Sequence, residues 1–324
     1  MTTAIKAATA KLASLRTAVG RRIVGQQSLV DRLLTALCVN GHLLLEGPPG
    51  LAKTLAAQTL ALALGADFRR IQFTPDLLPS DLLGGETLDP KTGTFFIRRG
   101  PIFGQIILAD EINRAPAKVQ SALLEAMQER KVRLGGETMA LPAPFLVLAT
   151  QNPLEHEGTY PLPEAQLDRF LMKVAIGYPN RDEERAILRQ YAPLAQDSAP
   201  PPEPAAAIED VAALQQATDA VFVDPKIEEY ALDVVRATRS PGEYGLKLAK
   251  HLELGASPRA TLALIRSARA TALLGGRDYV TPADVKEVAP DVLRHRLALR
   301  FEAEVEGIDV ERILSELLQS LPAP

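Results

Sequence analysis

The sequence contains one cysteine and four histidines, and this scarcity excludes several kinds of site. A single thiol, Cys38, forms no disulfide within one chain and builds no cysteine-based metal centre. It lies in the apolar run of residues 33–39, where a buried structural thiol is expected rather than a nucleophile. The histidines show no metal-ligand spacing; they are His42, His156, His251 and His295. The sequence therefore offers no support for a metalloenzyme.

The chain also lacks a basic excess and any long apolar run. Its net charge is -4, from 36 basic and 40 acidic residues, so no global positive field recruits nucleic acid. No apolar run approaches the length needed to span a bilayer, and a cytoplasmic protein is expected. With 324 residues, 47% hydrophobic and 23% charged, the chain is long enough for two globular domains.

The first 22 residues carry five basic side chains and no acidic one, which resembles a transit peptide. However, Ile5, Leu12, Leu15 and Val19 fall on one face of a helix. We therefore expect an amphipathic first helix that leads into residues 23–26.

A loop rich in glycine and proline follows a short apolar segment, residues 42–46, and precedes an apolar helix predicted to begin at Leu55. A strand, such a loop and a helix in this order are typical of a phosphate-binding P-loop. The alternative is an ordinary turn that happens to precede a Lys-Thr pair. The predicted nucleotide-binding residues of the loop are Gly47, Pro48, Pro49, Gly50, Leu51, Ala52, Lys53, Thr54 and Leu55.

The parts of a P-loop have separate chemical tasks. Backbone N–H groups and the positive end of the helix bind phosphate, Lys53 reaches the β- and γ-phosphates, and the Thr54 hydroxyl ligates Mg²⁺. Ala52 replaces the second glycine of the usual pattern. Alanine fits there if its backbone keeps a negative φ.

Short apolar runs alternate with helical segments along the first half of the chain. Beyond residues 42–46, strands are expected at residues 68–73, 106–109, 145–150 and 171–176, with helices near 115–130 and 164–170. This alternation predicts an α/β fold with a five-stranded parallel sheet covered by helices on both faces.

The second half has a different pattern. Residues 192–206 are rich in proline, which predicts a linker or an exposed excursion. From residue 208 onward the periodicity is helical, with helix starts at Asp224-Pro225, Ser257-Pro258 and Thr281-Pro282. We therefore expect a nucleotide-binding domain of residues 1–191, a linker of residues 192–206 and an all-helical domain of residues 207–324.

Two further motifs follow predicted strands. Asp110 and Glu111 end the strand of residues 106–109, at the edge where ligands bind in open α/β sheets. Asp110 would hold Mg²⁺ through water and Glu111 would deprotonate the attacking water, although two adjacent acids also occur in solvated turns. Asn152 ends the next strand and is placed to bond the γ-phosphate or the lytic water. Its alternative role is to cap the turn before Pro153.

Two arginines are candidates for the stabilisation of transition-state charge. Arg169 follows Asp168 at a predicted helix end and is interpreted as an arginine finger that enters the site of an adjacent subunit. The alternative is a surface ion pair. Arg259 lies in the first turn of a helix, where the helix dipole disfavours a cation, and this placement favours contact with phosphate.

Five motifs in order resemble the MoxR group of AAA+ ATPases, over nearly the whole chain. They are residues 47–54, 110–116, 120–129, 149–153 and 162–170. The resemblance implies an α-β-α core with a helical lid, ATP and Mg²⁺ as ligands, and a ring, commonly hexameric, with ATP between subunits. It also implies that Asn152 is sensor 1, Arg169 the arginine finger and Arg259 sensor 2, and that the residues near the adenine are Val24, Gly25 and Gln26.

Relatives in this clade carry two hairpin insertions, and residues 87–100 and 131–139 are candidates for both. The first combines Phe95 and Phe96 with Arg98 and Arg99, a mixture that stacks on single-stranded nucleic acid. Since no basic stripe accompanies it, an ordinary amphipathic hairpin is favoured.

Three functions remain open. The first is a chaperone-like motor that remodels a protein partner or helps insert a cofactor or metal into it; such relatives work with a separate von Willebrand factor A domain protein. The second is a nucleic-acid motor. The third is a non-hydrolysing, nucleotide-gated scaffold, which Glu111 and Arg169 argue against because a scaffold needs neither a base nor a finger.

Overall fold

A five-stranded parallel sheet organises the first half of the molecule, as predicted. The computed structural model describes residues 2–153, 158–192, 202–248 and 250–324. The strands in chain order are β1 Leu43–Glu46, β2 Phe68–Gln72, β3 Gly84–Leu88, β4 Phe95–Arg99, β5 Ile106–Asp110, β6 Lys131–Leu134, β7 Glu137–Ala140, β8 Leu146–Gln151, β9 Met172–Ala175, β10 Leu252–Leu254 and β11 Ala298–Leu299.

Helices cover this sheet and make up most of the second half. They are α1 Thr3–Gly20, α2 Gln27–Cys38, α3 Lys53–Leu64, α4 Pro79–Leu83, α5 Ala117–Glu129, α6 Glu164–Leu167, α7 Arg181–Tyr191, α8 Asp210–Asp219, α9 Pro225–Arg239, α10 Pro258–Leu274, α11 Pro282–Leu293, α12 Phe301–Val305 and α13 Val310–Ser320. Among the described residues, no helix is both long and apolar enough to cross a membrane.

The order of the strands in the sheet is β2-β5-β8-β1-β9, and neighbouring strands are parallel. Since the carboxyl ends of parallel strands share one edge, residues distant in sequence meet there. Glu46 lies beside Gln151 in the register, and Gln72 lies beside Asp110.

Each face of the sheet is buried in a separate hydrophobic cluster. Leu43 and Leu45 of β1 pack in a cluster that includes α1, α2, α3 and the C-terminal helices, whereas Leu44 packs with α5 on the opposite face. Burial on both faces explains why these strands are almost continuously apolar in sequence.

The predicted helix starts of the second half are confirmed. Asp224 caps α9 by accepting from the Lys226 backbone N–H, and Ser257 caps α10 in the same way. Thr281 and Asp284 form a capping box at the start of α11. The region is mainly helical, and it adds one feature that periodicity did not predict, a short antiparallel ribbon of β10 and β11.

Both expected hairpins form antiparallel pairs, β3 with β4 and β6 with β7. On the first hairpin Phe95 and Phe96 are 69% and 49% exposed. Arg99 bends back so that its guanidinium lies 5.2 Å from the centre of the Phe103 ring. The exposed fractions of Phe95 and Phe96 show that this aromatic pair of β4 is open to solvent.

Several boundaries differ from the expectations. The helix predicted near residues 164–170 is the short α6, and α3 begins at Lys53 rather than at Leu55. Most of the proline-rich segment lies outside the described residues. At its described end, the Ala205 backbone N–H donates to the Ala63 carbonyl O of α3 at 2.8 Å and Ala206 is buried, so residues 205 and 206 pack against α3, whereas Glu203 and Pro204 are exposed.

Candidate functional site

The loop of residues 47–52 joins β1 to α3 and turns twice into the left-handed region. Gly50 has φ +84° and Ala52 has φ +58°. The expectation that Ala52 keeps a negative φ is therefore wrong, because the loop requires left-handed backbone where α3 begins. That conformation costs an alanine about 1–2 kcal/mol. Strain of this kind persists where surrounding contacts impose it, often at ligand sites.

The Lys53 side chain lies over the same loop, where its Nζ donates to the Gly47 carbonyl O at 2.6 Å. Burial lowers the pKa of Lys53, and the carboxylates of Asp110, Glu111 and Glu46 oppose that change. One cation in the first turn of α3 thus faces three acids, which is a suitable balance for a site that receives polyphosphate with a metal ion.

A cleft of about 440 Å³ lies beside this loop. It is lined by residues 49–55 and by side chains from the ends of three neighbouring strands, namely Arg70, Asp110, Glu111, Thr150 and Asn152. The structure therefore brings together the predicted loop, the acidic pair and Asn152. Larger hollows elsewhere, of about 660 and 980 Å³, contain no residue of the P-loop.

Thr150 organises the acidic pair. Its hydroxyl donates to Asp110 Oδ1 at 2.6 Å, and its oxygen accepts the backbone N–H of Glu111 at 2.8 Å. The other carboxylate oxygen of Asp110 accepts from Arg70 Nη2 at 2.7 Å. Both oxygens of Asp110 are thereby oriented by neighbouring strands.

The carboxylate of Glu111 is held at the mouth of the cleft. Its Oε2 accepts from Gln72 Nε2 at 2.7 Å and from Arg114 Nη1 at 3.0 Å. Glu111 itself has φ +57°, an unusual backbone conformation for a glutamate. One residue that precedes Glu111 in the chain and one that follows it therefore fix the position of this carboxylate.

Asn152 is 8% exposed and lies two residues beyond Thr150 in the cleft wall. Its position just after a central strand would allow its side chain to form a hydrogen bond with a phosphate group. Thr150, Arg70 and Gln72 were missed from the sequence, although all three are polar residues at the edge that β2, β5 and β8 share.

The donor set of the cleft suits Mg²⁺, because a carboxylate and a hydroxyl are hard oxygen ligands. Asp110 and Thr54 supply these groups. Asp110 Oδ2 accepts two bonds from Arg70, whereas Oδ1 accepts one from Thr150 and keeps a second lone pair for a metal-bound water. Within the described residues no cluster of three His, Cys, Asp or Glu side chains is able to hold a metal. A site of this type is completed by phosphates of the substrate, as is usual for Mg²⁺.

Residues 24–26 lie beside the start of the P-loop. Gln26 Nε2 donates to the Gly177 carbonyl O at 3.1 Å, and the residue before Gly177 packs against Gly47. Gly25 has φ +75°, and a Cβ there would meet Glu183 of α7 at 2.7 Å. Val24, Gly25 and Gln26 do not line the phosphate cleft, so they are placed next to it rather than in it.

Arg169 and Arg259 do not reach the cleft of their own chain. Both line another hollow of about 310 Å³, which they share with His42 and Arg130. Arg169 is exposed in the turn between α6 and β9, and Arg259 Nη1 lies 3.5 Å from Asp168 Oδ2. The structure therefore separates these two arginines from the other predicted site residues.

Two family models match separate parts of the chain. Residues 42–172 match the ATPase family associated with various cellular activities (AAA), and residues 248–317 match an AAA lid domain. The first match contains the P-loop, the acidic pair, Asn152 and Arg169. The second contains Arg259.

Curated relatives resemble the chain over most of its length. Chaperone MoxR1 of Mycobacterium tuberculosis is 50% identical over 309 residues, which cover 94% of this chain and 80% of the relative. Protein MoxR of Methylorubrum extorquens is 31% identical over 94% of this chain and 93% of its own length. A crystal structure of a protein from Cytophaga hutchinsonii has a TM-score of 0.92 and 46% identity, and the match covers 99% of this chain and 97% of that one.

Proposed function

The chain belongs to the MoxR family of AAA+ ATPases, and from that premise we propose that it hydrolyses ATP in a ring whose nucleotide sites are shared between neighbouring subunits. The observation that carries this proposal is the separation of Arg169 and Arg259 from the cleft of their own chain. A cleft with a base but no arginine finger is completed when a second copy supplies one.

Within the cleft, each side chain has a task that its geometry supports. Lys53 and the N–H groups at the start of α3 hold the β- and γ-phosphates, and Asn152 orients the γ-phosphate or the attacking water. Glu111 takes the proton of that water as general base. Gln72 and Thr150 keep the acidic pair in place through the bonds described above.

Thr54, and Asp110 through water, would hold Mg²⁺, which when bound neutralises charge on the phosphates. Val24, Gly25 and Gln26 are expected near the adenine, and the bond from Gln26 to Gly177, next to the residue that packs against Gly47, supports this assignment. The neighbouring subunit supplies Arg169, and Arg259 acts from the same surface, so we assign both to the neighbour's nucleotide.

The partner is a protein. A relative that is 50% identical over 309 aligned residues is named a chaperone, and this favours the remodelling or maturation of a client, including cofactor or metal insertion. A separate von Willebrand factor A domain protein is the expected intermediary, and a hexamer in the cytoplasm is the expected assembly.

One observation favours a second candidate, a motor that acts on nucleic acid. The first hairpin exposes Phe95 and Phe96 next to Arg98 and Arg99, which are groups able to stack on bases and bind phosphates. Stimulation of hydrolysis by single-stranded DNA would establish this candidate. The net charge of -4 argues against it.

The shared site is tested by mixing two inactive variants. Glu111→Gln removes the base but keeps the arginines, and we call it the donor; Arg169→Ala keeps the base but lacks the finger, and we call it the acceptor. Each alone loses hydrolysis, by about a thousandfold or more for the acceptor. Their mixture recovers activity, because donor arginines complete acceptor sites.

Lys53→Ala and Arg185→Ala are the controls. Lys53→Ala loses nucleotide binding, whereas the acceptor still binds nucleotide. Arg185→Ala removes an exposed arginine whose ion pair with Asp182 is local, and it leaves activity unchanged. Specific activity should rise with protein concentration as rings form; a monomer with constant specific activity, or a mixture without recovery, contradicts the shared site.

A further inference from the structure

The turn that carries Arg169 is held in place from the helical region of the chain. Arg296 follows α11 and is only 6% exposed, although its guanidinium is charged. Its Nη2 donates to the Phe170 carbonyl O at 2.7 Å, and its Nη1 donates to the Leu171 carbonyl O at 3.2 Å. One buried side chain thus binds the backbone directly after Arg169.

The same guanidinium also binds the residue before Arg169. Arg296 Nε donates to Asp168 Oδ1 at 2.8 Å. The second oxygen of Asp168 accepts from Ser257 Oγ at 3.0 Å and faces Arg259 Nη1 at 3.5 Å. Asp168 therefore connects the Arg169 turn to the first turn of α10.

A second buried group supports this arrangement. His295 lies within hydrogen-bond distance of the Phe170 carbonyl O, at 3.2 Å, and donates to it through Nε2–H. Burial lowers the pKa of His295 well below its usual range, so its imidazole is neutral. Buried polar groups are costly unless they are fully bonded. Arg296 and His295 are two such groups, and both bind the turn that carries Arg169, although this turn does not line the cleft of its own chain.

We propose that Arg296 is a positioning residue for hydrolysis in the neighbouring subunit: it holds Arg169 and, through Asp168, Arg259 as one unit. This inference rests on the proposed shared site. An arginine stabilises a transition state only from the correct distance, and a displacement of about 1 Å reduces rates by about a hundredfold. The side chains of these two exposed arginines are long and flexible. The buried network therefore fixes the backbone positions from which they extend.

The mixing experiment tests this role when Arg296→Gln is added to one partner at a time. Added to the donor, it displaces the arginines that complete acceptor sites, and we expect the recovered kcat to fall by about tenfold to a hundredfold with little change in KM. Added to the acceptor, which supplies no finger, it should leave the recovered activity within about twofold.

The outcomes differ in whether activity is lost when Arg296→Gln is in the donor, in the acceptor or in both. Equal loss from both placements shows that Arg296 only maintains the fold, and it overturns the positioning role while the shared site stands. The positioning role is also overturned if Arg296→Gln causes no loss of activity in either variant. Absence of recovery in the starting mixture overturns the shared site, and the positioning role with it.

Thermal unfolding of each variant checks that the chain still folds. If Arg296→Gln does not fold, Asp168→Asn takes its place in both arms, because it weakens the same network from the surface side. Arg296→Lys keeps a charge opposite Asp168 but cannot bind both backbone carbonyls. It should restore at most part of the donor activity, and a donor as active with lysine as with the original arginine argues against this bonding geometry as the cause.

Discussion

Ala52 is the residue at which the predicted P-loop departs from the usual pattern, and its backbone is left-handed. Glycine adopts this conformation without the steric cost that alanine has. We predict that Ala52→Gly raises the free energy of unfolding by about 1 kcal/mol, since the relief of strain exceeds the entropy that glycine adds to the unfolded chain. Urea denaturation of both proteins measures the change.

Gly50 is the matched control for Ala52. It lies in the same loop with φ +84°, and a Cβ there would meet no atom within 4 Å. Gly50→Ala therefore tests backbone conformation without steric contact, and it should lower the free energy of unfolding by about 1 kcal/mol. If both substitutions change stability in the same direction, left-handed strain is not the cause.

Several residues of the candidate cleft could be predicted from sequence because their signal is local. Lys53 follows a glycine-rich loop, and Glu111 follows an apolar strand, so each motif lies within a few consecutive residues. Thr150, Arg70 and Gln72 have no such signal. Their partners are 39 or 40 residues away, and the contacts depend on the order β2-β5-β8, which apolar runs alone do not determine.

At the scale of elements, apolar runs predicted the sheet and capping residues before proline predicted the helix starts. The family resemblance, together with turn residues, predicted both hairpins. Periodicity did not predict the ribbon of β10 and β11, because strands of three and two residues are too short to show alternation. It also overextended α6: Pro161 and Pro163 precede this helix, and Asp168 ends it after four residues. The division into two domains and a linker remains a prediction.

His42 connects three elements at the start of β1. The Val147 N–H of β8 donates to its Nδ1 at 3.1 Å, and its Nε2–H donates to the Met127 carbonyl O of α5 at 3.1 Å. Burial, followed by the charge of Arg130, lowers the pKa of His42 to about 3. The folded protein therefore keeps this imidazole neutral where an unfolded chain would protonate it.

The sign of the pH dependence follows from that difference. Above about pH 6.5 neither state protonates His42, so its contribution to stability is complete; below that pH only the unfolded state gains the proton. We predict that the free energy of unfolding falls by up to about 1.4 kcal/mol per pH unit from this group as pH drops towards 5. Urea denaturation at several pH values gives the slope.

His42→Gln is the appropriate variant, because glutamine has an amide oxygen that accepts and an amide NH2 that donates but does not titrate in this range. Its slope should be smaller than that of the original chain by the contribution of one histidine. His295, which is buried and neutral as well, keeps a residual slope in the variant. An unchanged slope would show that His42 does not control acid sensitivity.

At the scale of the whole molecule, the N-terminal helices, the sheet and the C-terminal helices share one hydrophobic cluster. Leu12, Leu33, Leu45, Leu264 and Val288 all belong to it, although they come from α1, α2, β1, α10 and α11. A buried ion pair crosses the same boundary. Unfolding of either half would expose apolar surface of the other, so we expect the two halves to unfold together.

Arg32 provides the test of this coupling. It is buried in α2, and its Nε donates to Asp291 of α11 at 2.6 Å while Nη1 donates to Glu287 at 3.1 Å. Arg32→Met keeps the volume but leaves Asp291 with fewer cationic partners. We predict a loss of about 3 kcal/mol in the free energy of unfolding and a single calorimetric transition at a lower temperature.

Arg185→Met is the control, because the Arg185–Asp182 pair is exposed and lies within α7. Exposed pairs of this kind contribute about 0.5 kcal/mol or less. Two separate transitions in the original chain would contradict the shared cluster as a source of cooperativity. If only the Arg32→Met variant showed two transitions, the hydrophobic cluster alone would be too weak to couple the two halves. The buried ion pair would then be the interaction that makes them unfold together.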